Sequence, residues 1–137
     1  MARQKQLRKI PAPPKFSGFR PYGCLNDCKG SVDLLYEEYE AIRLADYDRL
    51  NYESAAVLMG ISRATFARIY ESAREKIAKA LVEGKEIISV FGNVHLDSEW
   101  FFCNDCHARF DIQTNTDYNY CPVCRSENIY SLNGQSR

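Results

Sequence analysis

The most specific chemistry in this sequence belongs to four cysteines. Cys103 and Cys106 are separated by two residues, as are Cys121 and Cys124, with fourteen residues between the pairs. Each pair can form a metal knuckle, and the intervening residues can form a hairpin that brings the knuckles together. Four thiolates in a tetrahedron, each about 2.3 Å from the ion, suit zinc. A segment of only about 35 residues cannot sustain a core unaided, so metal binding supplies much of its folding free energy. A structural zinc ribbon is therefore expected, with Trp100, Phe101, Phe102 and Phe110 packed around the site.

Iron is the alternative metal, because "YCPVC" is similar to a rubredoxin knuckle, although Arg125 stands where a glycine usually follows. "CNDCH" matches the haem c attachment pattern, but that chemistry requires export and leaves the second pair idle. His107, next to Cys106, is a competing ligand that is more often a neighbour of the metal shell. The other two cysteines, Cys24 and Cys28, have a Cys-x-x-x-Cys spacing that completes no site within one arm. Six cysteines without a secretory signal argue against a disulfide framework and for metal or redox chemistry.

A second constellation is the stretch "GISRATFARI" at residues 60–69, where Arg63 and Arg68 follow a glycine turn. Asn51 predicts an N-cap for a short helix over residues 52–59, and Gly60 ends it. Ser62 caps a longer helix from Arg63 to about Val82, and Gly84 closes it. Phe66, Ile69, Ala73, Ile77 and Ala80/Leu81 recur every three or four residues and define its buried stripe. Ala56 is small where the two helices would cross. This pattern is that of a helix-turn-helix, in which the start of the second helix enters the major groove. Ser62, Arg63, Ala64, Thr65, Ala67 and Arg68 are its candidate DNA contacts: guanidinium groups for guanine edges or phosphates, and alanines for close approach. Arg74 is a candidate phosphate contact, while Lys76 and Lys79 lie among Glu71 and Glu75 and read as a solvated face. A plain helical hairpin with exposed arginines is the competing interpretation.

Around these constellations the sequence reads as two small domains. Residues 1–32 form a basic, Pro/aromatic-rich arm in which Lys5, Arg8 and Lys9 are expected to touch phosphates or the minor groove. Within it, residues 24–32 read as a turn-rich connection. Residues 33–84 form a mainly α, three-helix domain whose first helix, near Glu37–Ala45, turns Tyr39, Ile42 and Ala45 inward and sets Glu37 and Glu38 at its positive end. Residues 85–98 read as a linker with some strand character, and residues 99–137 as the small β ribbon and tail. Net charge is zero, from 18 bases and 18 acids, yet it is unevenly spread. Residues 1–32 hold seven bases against Asp27, and residues 49–85 hold seven against four acids, while residues 33–48 and 96–137 are acidic. Such asymmetry can orient a protein on a polyanion.

The run "EYEAIRLADYDRLNYESAAVLMGISRATFARIYESAREKIAKALVEGKEI", with the approach "KFSGFRPYG", closely resembles a family of small predicted prokaryotic DNA-binding proteins, domain of unknown function 134. The resemblance covers about residues 16–88 and is carried most specifically by "EAIRLAD", "MGISR" and "ALVEGK". Its helix-turn-helix is similar to the promoter-reading fourth region of sigma factors. The resemblance implies a sequence-specific binder of double-stranded DNA and a transcriptional regulator. Cys24, Cys28 and the cysteine-rich tail depart from the family pattern. Two other functions compete: a metal- or redox-responsive sensor using Cys24 and Cys28, and an adaptor that docks on the transcription machinery, RNA polymerase, without reading sequence.

A homodimer is expected. No run approaches the roughly 20 apolar residues of a membrane span, and the basic start lacks an apolar h-region, so a cytoplasmic protein without a membrane partner is expected. There is no phosphate loop, dinucleotide fingerprint or nucleophile elbow, and the only histidines are His95 and His107. An enzyme is not expected.

Overall fold

Alternating burial begins at Ser31–Leu35, where Val32 and Leu34 are buried and Ser31 and Asp33 face water. The computed structural model describes residues 7–24, 29–96, 99–111 and 120–132. Two short strands, β1 (Arg8–Ile10) and β2 (Gly18–Phe19), precede this one, β3. The chain then passes without a loop into α1 (Tyr36–Ile42), which continues as a π-helical turn at Arg43–Tyr47. Next come α2 (Tyr52–Met59), α3 (Arg63–Glu83), β4 (Glu86–Val90) and β5 (Val94–Leu96). The cysteine-rich region supplies β6 (Trp100–Cys103), β7 (Arg109–Asp111) and β8 (Ile129–Ser131).

The helix punctuation follows local chemistry. Asn51 accepts a hydrogen bond from the Ser54 amide at 2.8 Å, and Ser62 accepts one from the Thr65 amide at 3.1 Å, each satisfying an orphan donor of a first turn. Gly60 sits at φ 68°, a left-handed conformation that glycine adopts without strain, and Ile61 returns its amide to the Ala56 carbonyl. Ala41, Leu44, Ala55, Ala56, Met59, Phe66 and Tyr70 form one core, with Tyr52 edge-on to both Phe66 and Tyr70. Along α1 and its π-helical turn, Ala41 and Leu44 are fully buried, whereas Tyr39, Ile42 and Ala45, expected inward, are only half-buried. Leu81, expected in the α3 stripe, is 76% exposed, and Tyr70 takes an inward place instead.

Acids of the first helix are buried rather than merely placed at its end. Glu38 Oε1 accepts from the Leu35 amide and from Lys76 Nζ at 2.8 Å, while its Oε2 accepts from the Ser72 hydroxyl. Lys76 also donates to the Asp33 carbonyl, so the lysine expected on a solvated face ties α3 to α1 and β3. Glu40 takes both Nε and Nη2 of Arg43 in a fork, and this raises the arginine's pKa further above its ordinary value.

Strands join the two ends of the helical run. β4 lies between β2, antiparallel, and β3, parallel, so α1, α2 and α3 form the crossover between two parallel neighbours. β1 pairs parallel with β5, and β6 is the centre of an antiparallel β7–β6–β8 sheet. The helical unit is therefore less purely α than its sequence indicates. The interval 85–98 carries β4 and β5, the arm carries β1 and β2, and β3 begins inside the stretch read as turn-rich. Strands of two to five residues offer too few alternations to read, and their partners are distant in sequence. Lys5 and Cys28 lie outside the described residues.

Gly18 is where β2 meets β4 most closely: a Cβ there would lie 2.3 Å from the Ile87 carbonyl oxygen. Backbone held in a ladder cannot retreat cheaply. Gly18→Ala is expected to destabilise the fold by about 1–3 kcal/mol. A urea midpoint equal to the wild type would contradict this pairing.

Candidate nucleic-acid interface and metal centre

The leading end of α3 is a solvent-facing cationic surface on a braced backbone. Ser62, Arg63, Ala64 and Arg68 are exposed, and Thr65 and Ala67 half-buried, above Phe66, which is fully buried. The Ser62 and Thr65 hydroxyls are 2.9 Å apart and bonded, and Arg68 Nη2 donates to Thr65 Oγ1 at 3.2 Å. Arg63 lies over the Tyr52 ring at 5.8 Å, which orients its guanidinium without using its donors. Arg74 is eleven positions farther along, stacked over Tyr70 at 5.4 Å. Tyr70 in turn donates to Asp46 at 2.6 Å, and that bond, with burial, raises the phenol's pKa.

Sequence reasoning missed where the arm lies. β1 runs beside α2, and the Lys9 stem approaches Gly60 so closely that a Cβ there would be 3.4 Å from Lys9 Cδ. Lys9 is exposed and adds a cation beside the turn that leads into α3, whereas Arg8 is half-buried along the β1–β5 pair. The clue was Ile10, an apolar residue in a basic arm, which is 1% exposed.

Cys103, Cys106, Cys121 and Cys124 come together as the spacing predicts, with their sulfurs all within 4.8 Å of one another. Sγ–Sγ separations are 3.6 Å for Cys103–Cys124 and 3.5 Å for Cys106–Cys121. A tetrahedral ion with bonds of about 2.3 Å needs edges of about 3.8 Å, so four thiolates fit one ion with little movement. Backbone amides of Cys106 and Val123 point at the Cys103 and Cys121 sulfurs, as knuckles require. His107 does not join this cluster; its ring stacks on Phe102. Positive φ at His107 and Arg125 marks the end of each knuckle, and Arg125 adopts it without glycine.

Thiol ionisation in this cluster is uneven. The Cys106 amide, outweighing burial, draws Cys103 down to about 7. At Cys106 the Ala108 amide lowers the pKa, but burial and three neighbouring thiols together push it up to about 12. Metal binding must therefore expel protons, and protons compete increasingly as pH falls. Between pH 6 and 8 the apparent metal affinity is expected to rise by more than about tenfold per pH unit. Competition against a chromophoric chelator measures this, and a flat profile would exclude thiolate ligation.

The cysteine cluster is attached to the rest of the chain. Leu132, 2% exposed, joins Ile10, Tyr36, Val94 and Leu96 in a second core, flanked by Trp100, Phe102 and Tyr130. Arg109 reaches Ser17 at 3.3 Å and stacks on Phe102 at 4.8 Å. Burial raises the Tyr36 pKa, partly offset by that same Arg109. Cys24 is disulfide-bonded, in contrast to the four free thiols of the cluster.

A family model described as "Protein of unknown function DUF134" matches residues 1–97. The chain belongs to this family. A UPF0251 protein of Chloroherpeton thalassium is 41% identical over 132 residues, covering 96% of this DUF134 chain and 87% of the relative. Another from Methanothermobacter thermautotrophicus is 39% identical over 136 residues, 99% of this chain and 70% of the relative. A third, from Clostridium acetobutylicum, is 41% identical over 129 residues, 94% and 90% of the two chains. These similarities extend past residue 97 into the cysteine-rich part of the DUF134 chain. No solved structure matches it. Among its described residues no helix is long and apolar enough to cross a membrane.

Proposed function

We propose that this DUF134 chain is a sequence-specific binder of double-stranded DNA that regulates transcription. In this reading α2, the Gly60 turn and α3 are a sigma-region-4-like helix-turn-helix, and Cys103, Cys106, Cys121 and Cys124 hold a structural zinc ion in a ribbon. It acts in the cytoplasm as a homodimer and catalyses no reaction. The supporting observation is the leading turn of α3, where Arg63 and Arg68 stand exposed on a helix whose opposite side is fixed by Phe66, Tyr70 and Ala73. A helix N-terminus with free amides and flanking guanidinium groups favours phosphates and guanine edges. Lys9, beside the turn, extends this cationic surface toward the backbone of the duplex.

Selection from a random duplex library should recover a defined motif. At that motif Arg63→Ala is expected to cost about 1–3 kcal/mol and to relax preference at one position, while Lys9→Ala weakens binding evenly and lowers the salt slope by about 1. Absence of any enriched motif would reject the reading and leave docking on RNA polymerase as the better account. The Cys24 disulfide keeps a redox-responsive variant in view, and it predicts that reductant changes affinity for the recovered motif.

A further inference from the structure

Thr65 stands at the centre of a small hydrogen-bond network on the leading turn of α3. Its amide donates to Ser62 Oγ at 3.1 Å, and that hydroxyl donates back to Thr65 Oγ1 at 2.9 Å. Arg68 Nη2 donates to the same threonine oxygen at 3.2 Å. A hydroxyl oxygen has two lone pairs, and both are thereby taken. What the Thr65 hydroxyl has left is its proton, which meets no acceptor among the described residues. Arg68 gives one N–H to Thr65 and keeps the rest, and a guanidinium accepts nothing. It forms no ion pair among the described residues, although Glu71 is one turn farther on. Ala64 and Ala67, beside the pair in sequence, add no polar side-chain atom. Phe66 is fully buried behind them and fixes the backbone from which both side chains project.

We propose that Thr65 and Arg68 act as one donor-only unit that selects guanine, with Thr65 positioning the guanidinium. This inference rests on the DNA-binding reading above and narrows it to one base and the pair of residues that reads it. In the major groove guanine shows two acceptors, N7 and O6. Adenine shows an acceptor and a donor, thymine an acceptor and a methyl group, and cytosine a donor. An edge made of donors alone satisfies guanine, sets a donor against adenine's amino group, and has nothing for cytosine's. Phosphates accept as well, but a contact to them carries no sequence information, and an untethered arginine reaches them equally well. The tether is what favours a base. A long side chain gives up rotamer freedom on binding, and Thr65 holds Arg68 before the duplex arrives, so less is lost. Spacing of i, i+3 keeps the two on one side of the helix. Arg63 has no such companion, since an aromatic face orients it and leaves its donors unspent.

The probe is the duplex recovered by selection from a random library, with 7-deazaguanine, which lacks the N7 acceptor, replacing each guanine in turn. Wild-type protein should lose at least about tenfold in affinity at one of these guanines. Thr65→Val, which keeps the amide bond to Ser62 and the shape of the side chain, should shrink that loss at least fivefold. Thr65→Ser should retain it, a rescue that a merely structural role does not predict. In an Arg68→Ala background Thr65→Val should add little, because the two act together. Far-ultraviolet circular dichroism of each variant should match the wild type. A recovered motif in which no guanine is sensitive to the N7 replacement overturns this inference and leaves DNA binding standing. So does a Thr65→Val variant that discriminates as the wild type does, or a Thr65→Ser variant that behaves like Thr65→Val. Recovery of no motif removes the DNA-binding reading itself and this inference with it.

Discussion

Replacing Cys121 with serine will unfold residues 99–132 and loosen β1 and β5 with them. Cys121 is fully buried among the other thiols, and the structural zinc ion proposed for them would contribute on the order of 10 kcal/mol of folding free energy. Among the described residues of 99–132, only Cys103, Cys121 and Leu132 are buried, which leaves little apolar core to compensate. Its β8 end places Leu132 in the second core, while Trp100, Phe102 and Tyr130 pack against Ile10, Tyr36, Val94 and Leu96. Each of those buried side chains contributes about 1.5–3 kcal/mol, so losing the ribbon strips the seam that holds the arm. Hydrogen exchange should show loss of protection at residues 8–10, 94–96 and 100–103, with residues 63–83 little changed, and a strong chelator should reproduce the pattern. Full protection of β1 in the serine variant would show that the ribbon does not support the body.

Phe66→Ala should cost about 3–5 kcal/mol, the largest single loss available in the helical core. Phe66 is fully buried, its ring 5.3 Å from Tyr52 and 5.9 Å from Tyr70. Total stabilities are about 5–15 kcal/mol, so this variant should be marginal at room temperature. Urea denaturation followed by circular dichroism measures the loss; a change under 1 kcal/mol would mean the cavity collapses or the ring is not in the core. Comparison with Arg63→Ala separates roles, because the arginine is exposed and its removal should leave the urea midpoint within about 0.5 kcal/mol of the wild type.

What was legible in the sequence was local. Asn51, Gly60, Ser62 and Gly84 each act within one turn of themselves, and all four end or cap helices where the chain indicates. The two Cys-x-x-Cys pairs were legible for the same reason, since each knuckle is made by its own four residues. What escaped was non-local. Nothing near Glu38 announces that Lys76 and Ser72 will meet its carboxylate, so burial looked like a helix-end charge. Nothing near Lys9 announces Gly60. β4 read as a linker because its partners, β2 and β3, lie on the far side of three helices. Leu81, given with Ala80 in the expected stripe, faces outward while Ala80 is buried, because periodicity reports that a face is apolar and not what covers it.

The parallel pairing of β3 with β4 has a consequence for synthesis. Ser31 must wait for Glu86, and Arg8 for Val94, so neither ladder can close while the intervening helices are still being translated. Folding on the ribosome would proceed from the helical corner outward, with the exposed edge of β3 unprotected until the last third of the chain emerges. A fragment trimmed to residues 33–84 would keep every helix but cut into β3 and lose its partner β4. Such a truncation should be soluble only transiently, and a unit ending at β5 would still lack Leu132, Trp100, Phe102 and Tyr130 from the second core.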